Sequence, residues 1–337
     1  MSTTECPSLD VRDVGEVAYA PDEWPIAAAM LQFPGVTPDG RPVTDLAPEG
    51  WRELLQPIVD AGFDSLEVPS AWVRLGDLGP QRLREFSAVM VDAELRIPGI
   101  SVVRESIIHP QDGARNLGFS HRTIDAAAAL SVPIVCFGLH GALLPAQRDA
   151  LWFWTVPGEQ KPVDPAVREL AVARYRELAV HAASVGVEIS LELYEDSYLG
   201  AAVEAVRFLD DIDHPGAGLN PDLGNLIRRQ GEVEAWEYLA YLTLPRANYW
   251  HVKNYSRAED PGRGVVLTAP TSLELGIINY RRAVRFAIAA GFSGAFVVEH
   301  YGGDGLSVGA TNRDYLRRIL PRTLVQPAAS QSRQTLP

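Results

Sequence analysis

Short apolar runs alternate with longer amphipathic segments eight times between residue 26 and about residue 324 of this chain. Several of the short runs are almost continuously apolar, which is typical of parallel strands buried on both faces. Glycine closes amphipathic segments in DAGFDSLEVP and ASVGVEISLEL, as expected where a helix hands over to the next strand. Eight such units favour a single closed (β/α)₈ barrel over an open doubly wound sheet. The first run is not followed by a Gly-x-Gly-x-x-Gly phosphate motif, which agrees with that choice.

The predicted barrel occupies residues 26–325, between an N-terminal extension at 1–25 and a flexible C-terminal tail at 326–337. Its strands are predicted at residues 26–33, 64–69, 97–103, 132–138, 187–193, 216–222, 248–254 and 295–300. Its helices are predicted at residues 51–62, 81–95, 114–130, 165–186, 201–212, 232–242, 280–291 and 313–324. Two connections, 139–164 and 255–279, are long, and long loops in a compact domain usually form lids or interfaces.

The composition excludes several classes of protein. Hydrophobic residues make up 47% of the chain and charged residues 22%, as in globular proteins with a substantial core. The formal net charge of −13 argues against a nucleic-acid partner, which would require a concentration of Lys and Arg. No apolar segment approaches the roughly 18 residues of a membrane span. Two cysteines, Cys6 and Cys136, cannot build a disulfide framework, so a reducing, cytoplasmic location is expected.

Polar residues end four consecutive predicted strands, at the carboxyl ends where barrels of this kind build their active sites. They are Glu192 in ISLELYED, Asp222 in GLNPDLGN, His251 in YWHVKNY and Glu299 in FVVEH. Buried carboxylates are costly unless they are paired or bind a metal, and converging ones repel one another without a cation. The four are therefore predicted to bind one divalent metal ion. The donor set suits Mn²⁺ or Mg²⁺, while Zn²⁺ or Co²⁺ would bind more tightly where they are available. The alternative is that each residue caps its strand or joins a salt bridge.

Two further residues are candidates for catalysis. Lys253 shares a strand face with His251, so it is predicted to point into the mouth and to stabilise an oxyanion; the alternative is a surface lysine. His140 lies between glycines in CFGLHGALLP and is the candidate general base, with an ordinary loop histidine as the alternative. If His140 is not the base, Glu192 or Glu299 takes that role. Asn220 shares a strand face with Asp222. Asn225 and Glu195 are weaker candidates, with capping of the following helix as their alternative.

The motifs SLEL, NPDLGN, HVKN and VVEH resemble those of the xylose isomerase-like barrel superfamily of sugar isomerases and epimerases. The longer segments WPIAAAMLQFPG, LHGALLPAQRDALWFWTVPG and VVEHYGGDGLS resemble the α subunit of the bacterial C-glycoside deglycosidases. That resemblance implies a Mn²⁺-dependent lyase that acts on 3-oxo-C-glucosides together with a small β subunit. It also implies the four ligands above and places His140 at the position of a catalytic base. The second set of metal carboxylates that xylose isomerase carries after strand seven is missing here.

The sequence leaves four functions open. A carbon–carbon lyase would remove the proton beside the sugar ketone and expel the aglycone by β-elimination. An isomerase or epimerase of sugars or sugar phosphates would return the proton through a metal-bound enediolate. A non-catalytic sugar binder would need no base, and an apurinic-site nuclease fits the acidic charge and the few site histidines poorly. The aromatic segment 151–156 suits a flat aglycone or a partner subunit, with packing against the barrel as its alternative.

Overall fold

The computed structural model describes residues 8–11, 13–15, 17–260 and 262–322. Its helices are α1 Pro48–Asp60, α2 Pro80–Asp92, α3 Gly113–Ala129, α4 Pro145–Asp149, α5 Pro165–Ser184, α6 Ala202–Ile212, α7 Leu223–Ile227, α8 Trp236–Thr243, α9 Tyr280–Ala289 and α10 Gly305–Ile319. Its strands are β1 Ile26–Ala29, β2 Leu66–Pro69, β3 Ile100–Val102, β4 Ile134–Phe137, β5 Glu188–Glu192, β6 Ala217–Asn220, β7 Trp250–Val252, β8 Asn254–Asp260, β9 Val265–Thr271 and β10 Phe296–Val298. In this part of the chain, no helix combines the length and the apolar character that crossing a membrane requires.

Eight of these strands run parallel in the order β6–β5–β4–β3–β2–β1–β10–β7. Between the two ends of that order, β6 and β7, the described pairing consists of a bridge joining Leu219 to Ala247 and a 3.2 Å hydrogen bond from Asn248 N to the Leu219 carbonyl. We call this place the seam. The strands therefore form a nearly closed barrel surrounded by helices, and the predicted (β/α)₈ fold is confirmed.

Side chains alternate between the inside and the outside of the barrel along each strand. The inner side chains below the mouth form a small apolar cluster of Ala27, Ala29, Ile134, Cys136, Tyr249, Ala295 and Val297. The outer side chains join one large core between the strands and the helices. Trp51 and Phe86 meet edge to face in that core, with ring centroids 5.1 Å apart, which links α1 to α2. Most of the buried apolar surface thus lies outside the barrel rather than within it.

The described part of the 1–25 segment packs against the amino end of the barrel. Trp24 is 1% exposed, and its Nε1 donates to the Gly294 carbonyl at 2.9 Å, immediately before β10. Arg317 of α10 donates to the Trp24 carbonyl at 2.8 Å, and Leu9 is also buried. These contacts close the end of the barrel opposite the predicted site.

Some predicted boundaries are wrong. The strands are shorter than predicted, since polar and loop residues at their ends leave the ladder. The last helix begins at Gly305 rather than at residue 313, because the Asp304 carboxylate accepts a hydrogen bond from Ser307 N at 3.0 Å and caps it there. The long connection 139–164 contains α4, and the connection 255–279 contains most of an antiparallel hairpin of β8 and β9. The predicted flexible tail 326–337 lies outside the described residues.

Candidate active site

The carboxyl-terminal mouth of the barrel brings the four predicted metal ligands together. Glu192 ends β5, Asp222 precedes α7, His251 lies in β7 and Glu299 follows β10. His251 Nδ1 lies 3.2 Å from Glu299 Oε1 and 3.7 Å from Glu192 Oε1. One ligand atom each from Glu192, Asp222 and His251 fits within 4.8 Å, and all four side chains are buried. We call these four residues the mouth cluster.

Glu67 of β2 is a fifth residue of this region, and the sequence analysis missed it. Its Oε1 lies 2.7 Å from His251 Nε2 and accepts a hydrogen bond of 3.1 Å from the Tyr249 hydroxyl. A carboxylate on one ring nitrogen of a histidine leaves the other nitrogen free to bind a metal, and it fixes the orientation of the ring. Because Glu67 occupies Nε2, it directs Nδ1 of His251 towards the carboxylates of Glu192 and Glu299.

Lys253 lies within the mouth cluster. Its Nζ is 2.6 Å from Asp222 Oδ2 and also contacts Glu299 Oε2 closely, and the side chain is 3% exposed. Burial alone would lower the pKa of Lys253, but the two carboxylates outweigh it and raise that pKa well above its usual value. Lys253 therefore remains a cation that neutralises part of the negative charge at the mouth.

The three carboxyl groups of the mouth cluster differ in their affinity for protons. Burial raises the pKa of Asp222 to about 7, against the opposing effect of Lys253. Burial also acts to raise the pKa of Glu192, but the neighbouring His251 outweighs it and holds that pKa below its usual value. Glu299 behaves like Glu192, because Lys253 and His251 together outweigh its burial and lower its pKa. Asp222 is thus the carboxyl group of the three that holds a proton most tightly.

The donor atoms of the mouth cluster fit a cation. Among the described residues, His251 Nδ1 is buried and has no hydrogen-bond partner, whereas Asp222 Oδ2 pairs with Lys253 Nζ at 2.6 Å. Buried polar atoms without partners are rare in proteins and call for an explanation such as a bound ion. Three carboxylates and one imidazole nitrogen form a mainly oxygen donor set, which suits a divalent ion of the Mg²⁺ or Mn²⁺ type.

Two asparagines hold the ligands in position. Asn225 Nδ2 donates to Glu192 Oε1 at 2.9 Å, and the backbone N of Asn225 donates to Asp222 Oδ1 at 3.1 Å. Asn220 Oδ1 accepts a hydrogen bond of 2.7 Å from the backbone N of His251, across the seam. Both asparagine side chains are fully buried, and each contacts residues of the mouth cluster.

His140 follows β4 and is 5% exposed. Its ring stacks on Tyr194 with centroids 4.2 Å apart, and its Nδ1 has no hydrogen-bond partner among the described residues. Burial lowers the pKa of His140 to about 3, although the nearby Glu192 carboxylate opposes this shift. A Cβ at Gly138 would lie 2.3 Å from the His140 ring, so only glycine at that position leaves room for it. His140 is therefore a neutral imidazole at physiological pH.

A cavity of about 300 Å³ lies beside the mouth cluster and is lined by residues that include Arg104, Leu139, His140, Trp154 and Tyr194. Arg104 Nη2 donates to the Tyr194 hydroxyl at 2.9 Å, which fixes the ring that stacks on His140. The lining combines the aromatic side chains of Trp154 and Tyr194 with the candidate base. Such a cavity can hold the flat or apolar part of a small molecule.

The aromatic segment 151–156 packs partly on the barrel and is partly exposed. Trp154 Nε1 donates to Thr268 Oγ1 of β9 at 3.0 Å, so the segment is anchored to the hairpin. The guanidinium of Arg228 lies 4.8 Å from the ring centroid of Phe153 and 5.1 Å from that of Trp154. Arg228 also pairs with Glu195 at 2.8 Å; Glu195 therefore forms a buried ion pair rather than a helix cap. Leu151, in contrast, is 84% exposed.

A family model described as a xylose isomerase-like TIM barrel matches residues 55–319. The chain belongs to this family. Another xylose isomerase-like TIM barrel protein, from Mycobacterium smegmatis, is 42% identical, and its crystal structure is a complex with magnesium. The similarity covers 89% of this chain and 98% of that chain, with a TM-score of 0.86.

Solved structures at lower identity share the xylose isomerase-like fold. D-allulose 3-epimerase from Methylomonas sp. is 17% identical over 88% of this chain and 98% of that chain, with a TM-score of 0.62. D-psicose 3-epimerase from Clostridium cellulolyticum H10, solved with D-tagatose, is 15% identical over 88% of this chain and 99% of that chain, with a TM-score of 0.60. At these identities the likeness concerns the fold alone. Among curated proteins none matches this chain.

Proposed function

We propose that this protein is a metal-dependent enzyme that removes a proton beside a sugar ketone. More narrowly, we propose that it is the α subunit of a C-glycoside deglycosidase, which cleaves the carbon–carbon glycosidic bond of 3-oxo-C-glucosides. The observation that carries the proposal is the position of His140, a buried imidazole with an unpartnered nitrogen that lines the cavity and senses the charge of Glu192.

Glu192, Asp222, His251 and Glu299 would hold the ion, and Mn²⁺ is the proposed metal, with Mg²⁺, Co²⁺ and Zn²⁺ as alternatives. The unpartnered Nδ1 of His251 and the oxygen-rich donor set support this assignment. The magnesium complex of the relative from Mycobacterium smegmatis supports a divalent ion in the same family. When bound, such an ion supplies Lewis-acid polarisation of a carbonyl oxygen.

His140 is proposed to accept the proton from C2 of the sugar. The His140 imidazole is neutral and its Nδ1 has no partner among the described residues, so this nitrogen is free to accept the proton. The low pKa makes His140 a weak base, and the nearby Glu192 carboxylate strengthens it. As the C2–H bond breaks, a C1–C2 double bond forms and the C1–aglycone bond breaks. The electron pair of that bond leaves with the aglycone carbon, which takes up a proton, so the reaction is redox-neutral. Lys253 is proposed to hold positive charge beside the oxygens that become negative.

The cavity and the connection 139–164 support an aglycone and a partner subunit. The cavity beside His140 gives space beyond what a sugar ring at the mouth cluster needs. Two apolar side chains of the connection are largely exposed, Leu151 at 84% and Val163 at 97%. Single exposed apolar residues are common on protein surfaces, so the main support for a partner is the resemblance of LHGALLPAQRDALWFWTVPG to the α subunits. We propose that a small β subunit covers this surface.

The alternative function is a sugar isomerase or epimerase, and one observation favours it. Glu192 and Glu299 reach His251 from strands on either side of the β6 and β7 pair. Two carboxylates placed in this way suit a reaction in which one residue removes a proton and another returns it. The acid–base pair would then be Glu192 and Glu299 rather than His140.

Product analysis separates the two functions. The protein is incubated with a 3-oxo-C-glucoside, with the unoxidised C-glucoside and with free ketoses, each with and without the small β subunit. Release of aglycone from the 3-oxo compound alone supports the lyase. Interconversion of ketoses without release of aglycone supports the epimerase.

His140→Ala tests the identity of the base. It is expected to keep the metal and to lose turnover by about two to four orders of magnitude if His140 is the base. A loss below tenfold shifts that role to Glu192 or Glu299.

A further inference from the structure

A second cluster of metal-ligating side chains lies on the outer surface, between α3 and α5. His121 and Asp125 are spaced i, i+4 on α3, and Glu177 and His181 are spaced i, i+4 on α5. Residues four apart lie on one face of a helix, so the two pairs face each other. The two Nδ1 atoms are 2.7 Å apart. His121 Nε2 lies 2.7 Å from Glu177 Oε1, and His181 Nε2 lies 2.9 Å from Asp125 Oδ1.

At a separation of 2.7 Å, the two Nδ1 atoms require a proton or a metal ion between them. An ionised carboxylate only accepts hydrogen bonds, so each Nε2 that contacts one carries a proton. A neutral imidazole protonated at Nε2 has a bare lone pair at Nδ1. The two lone pairs of His121 and His181 then point at each other, which is repulsive unless a proton or a metal ion lies between them.

The arrangement is the one that histidine ligands of metal ions adopt. Metal-bound histidines usually donate their second ring N–H to a carboxylate, which fixes the tautomer and the ring orientation. Here both histidines have such a partner, each supplied by the opposite helix. Both imidazoles are also reachable from solvent, with 27% and 24% of the side chain exposed.

We propose that His121 and His181 bind one divalent transition-metal ion through their Nδ1 atoms, with Glu177 and Asp125 as orienting carboxylates. Imidazole pairs favour Zn²⁺, Cu²⁺ or Ni²⁺ over Mg²⁺, so this site and an oxygen-rich site select different metals. Tetrahedral Zn²⁺ with Zn–N bonds of about 2.0–2.1 Å requires the two nitrogens to be about 3.3 Å apart. The rings therefore move apart by about 0.6 Å, which rotations of exposed side chains permit. The ion would cross-link α3 and α5 on the outside of the barrel.

The test compares zinc binding by three forms of the full chain. The wild type, His181→Gln and His214→Gln are equilibrated with Zn²⁺ at about pH 7.5, and bound zinc is measured by elemental analysis. His214 is the matched control, because it follows α6 and its Nδ1 accepts a hydrogen bond from Gly216 N instead of facing another imidazole. His181→Gln is expected to bind one equivalent fewer than the wild type, and His214→Gln the same number. Because the mouth cluster is intact in all three forms, the difference does not depend on the proposed function.

A second readout follows the cross-link itself. Zn²⁺ is expected to raise the Tm of the wild type more than that of His181→Gln, because an ion that binds only the folded chain stabilises it. His121→Gln, on the other helix, is expected to give the same loss, with circular dichroism showing that it is folded. Equal zinc content and equal Tm shifts in the wild type and both variants would overturn the proposal and leave a shared proton between the two rings.

Discussion

The inner and outer sides of strand β7 carry opposite kinds of residue. Trp250 and Val252 point outwards into the large core, where Trp250 lies 5.4 Å from the ring of Phe296. His251 and Lys253 point inwards and contact buried carboxylates. Alternation along one strand thus places a packing residue and a chemical residue side by side in sequence, in separate environments.

The outer residues mainly determine the stability of the fold, and the inner residues at the mouth mainly determine its function. Burial of large apolar side chains stabilises the fold, and nearly all of them lie in the outer core. Buried carboxylates cost free energy even when they are paired, and they lie in the inner side at the mouth. Substitutions on the two sides should therefore differ in kind, and four predictions test that difference.

The largest effect is expected inside, at Glu192→Gln. Loss of one anionic ligand should abolish metal binding at the mouth and reduce turnover by about 10³-fold or more, since Lewis-acid assistance contributes several kcal/mol. Metal content and steady-state kinetics measure this. Glu188→Gln is the matched control, because Glu188 lies on the same strand but is exposed at its amino end. Equal metal content in both variants would contradict the assignment of Glu192 as a ligand.

On the outer side of β7, Trp250→Ala should reduce the stability of the fold rather than metal binding. Truncation of a fully buried tryptophan is expected to lower the free energy of unfolding by about 3–5 kcal/mol. Urea denaturation of the metal-free protein measures the change, and the folded fraction should still bind metal like the wild type. Tyr241→Ala, on a side chain 39% exposed, is the control that should change stability little. If Trp250→Ala instead lost metal without losing stability, the two sides of β7 would not be separable.

A smaller effect is expected at Glu67→Gln, which leaves every proposed ligand in place. Loss of the charge behind His251 should weaken metal affinity by about 10–100-fold. Tyr249→Phe removes one hydrogen bond to Glu67 and should have a weaker effect in the same direction. Isothermal titration with Mn²⁺ measures both. An affinity unchanged by Glu67→Gln would show that the orientation of His251 is fixed without it.

The smallest effect is expected in the pH profile. Because burial lowers the pKa of His140 to about 3, its unprotonated form persists as pH falls and is lost only near that value. The profile of kcat/KM between about pH 5 and 8 should therefore show no acid limb due to His140 near 6.5, the usual histidine pKa. An acid limb near 6.5 that is absent in His140→Gln would show that His140 is more accessible to water than its packing against Tyr194 indicates.

The sequence analysis predicted the barrel because eight alternations of strand and helix have few other solutions. Convergence of Glu192, Asp222, His251 and Glu299 was predictable because polar residues that end apolar strands meet at one end of a parallel barrel. The structure places all four side chains at that end. Their role as ligands stays a prediction.

Glu67 was missed although its signal is the same as that of Glu192. SLEV in β2 and SLEL in β5 each place one carboxylate in an apolar strand. The four predicted ligands follow neighbouring strands, whereas Glu67 reaches His251 from β2, which is not adjacent to β7. The hairpin of β8 and β9 was missed for another reason. Both strands are largely exposed, and β8, NYSRAED, has no apolar alternation, so the apolar start of β9, VVLTAPT, has no matching partner in the sequence.

Metal binding would also affect the seam between β6 and β7. Asp222 follows one strand of the seam and His251 belongs to the other. Within the described residues, the backbone pairing there is one bridge and one hydrogen bond, supplemented by the contact from Asn220 to His251 N. An ion held by Asp222 and His251 would link the two strands of the barrel where the described backbone hydrogen bonds between neighbours are fewest. Slower amide hydrogen exchange at Asn248 and His251 on addition of Mn²⁺ would then report closure of the barrel itself.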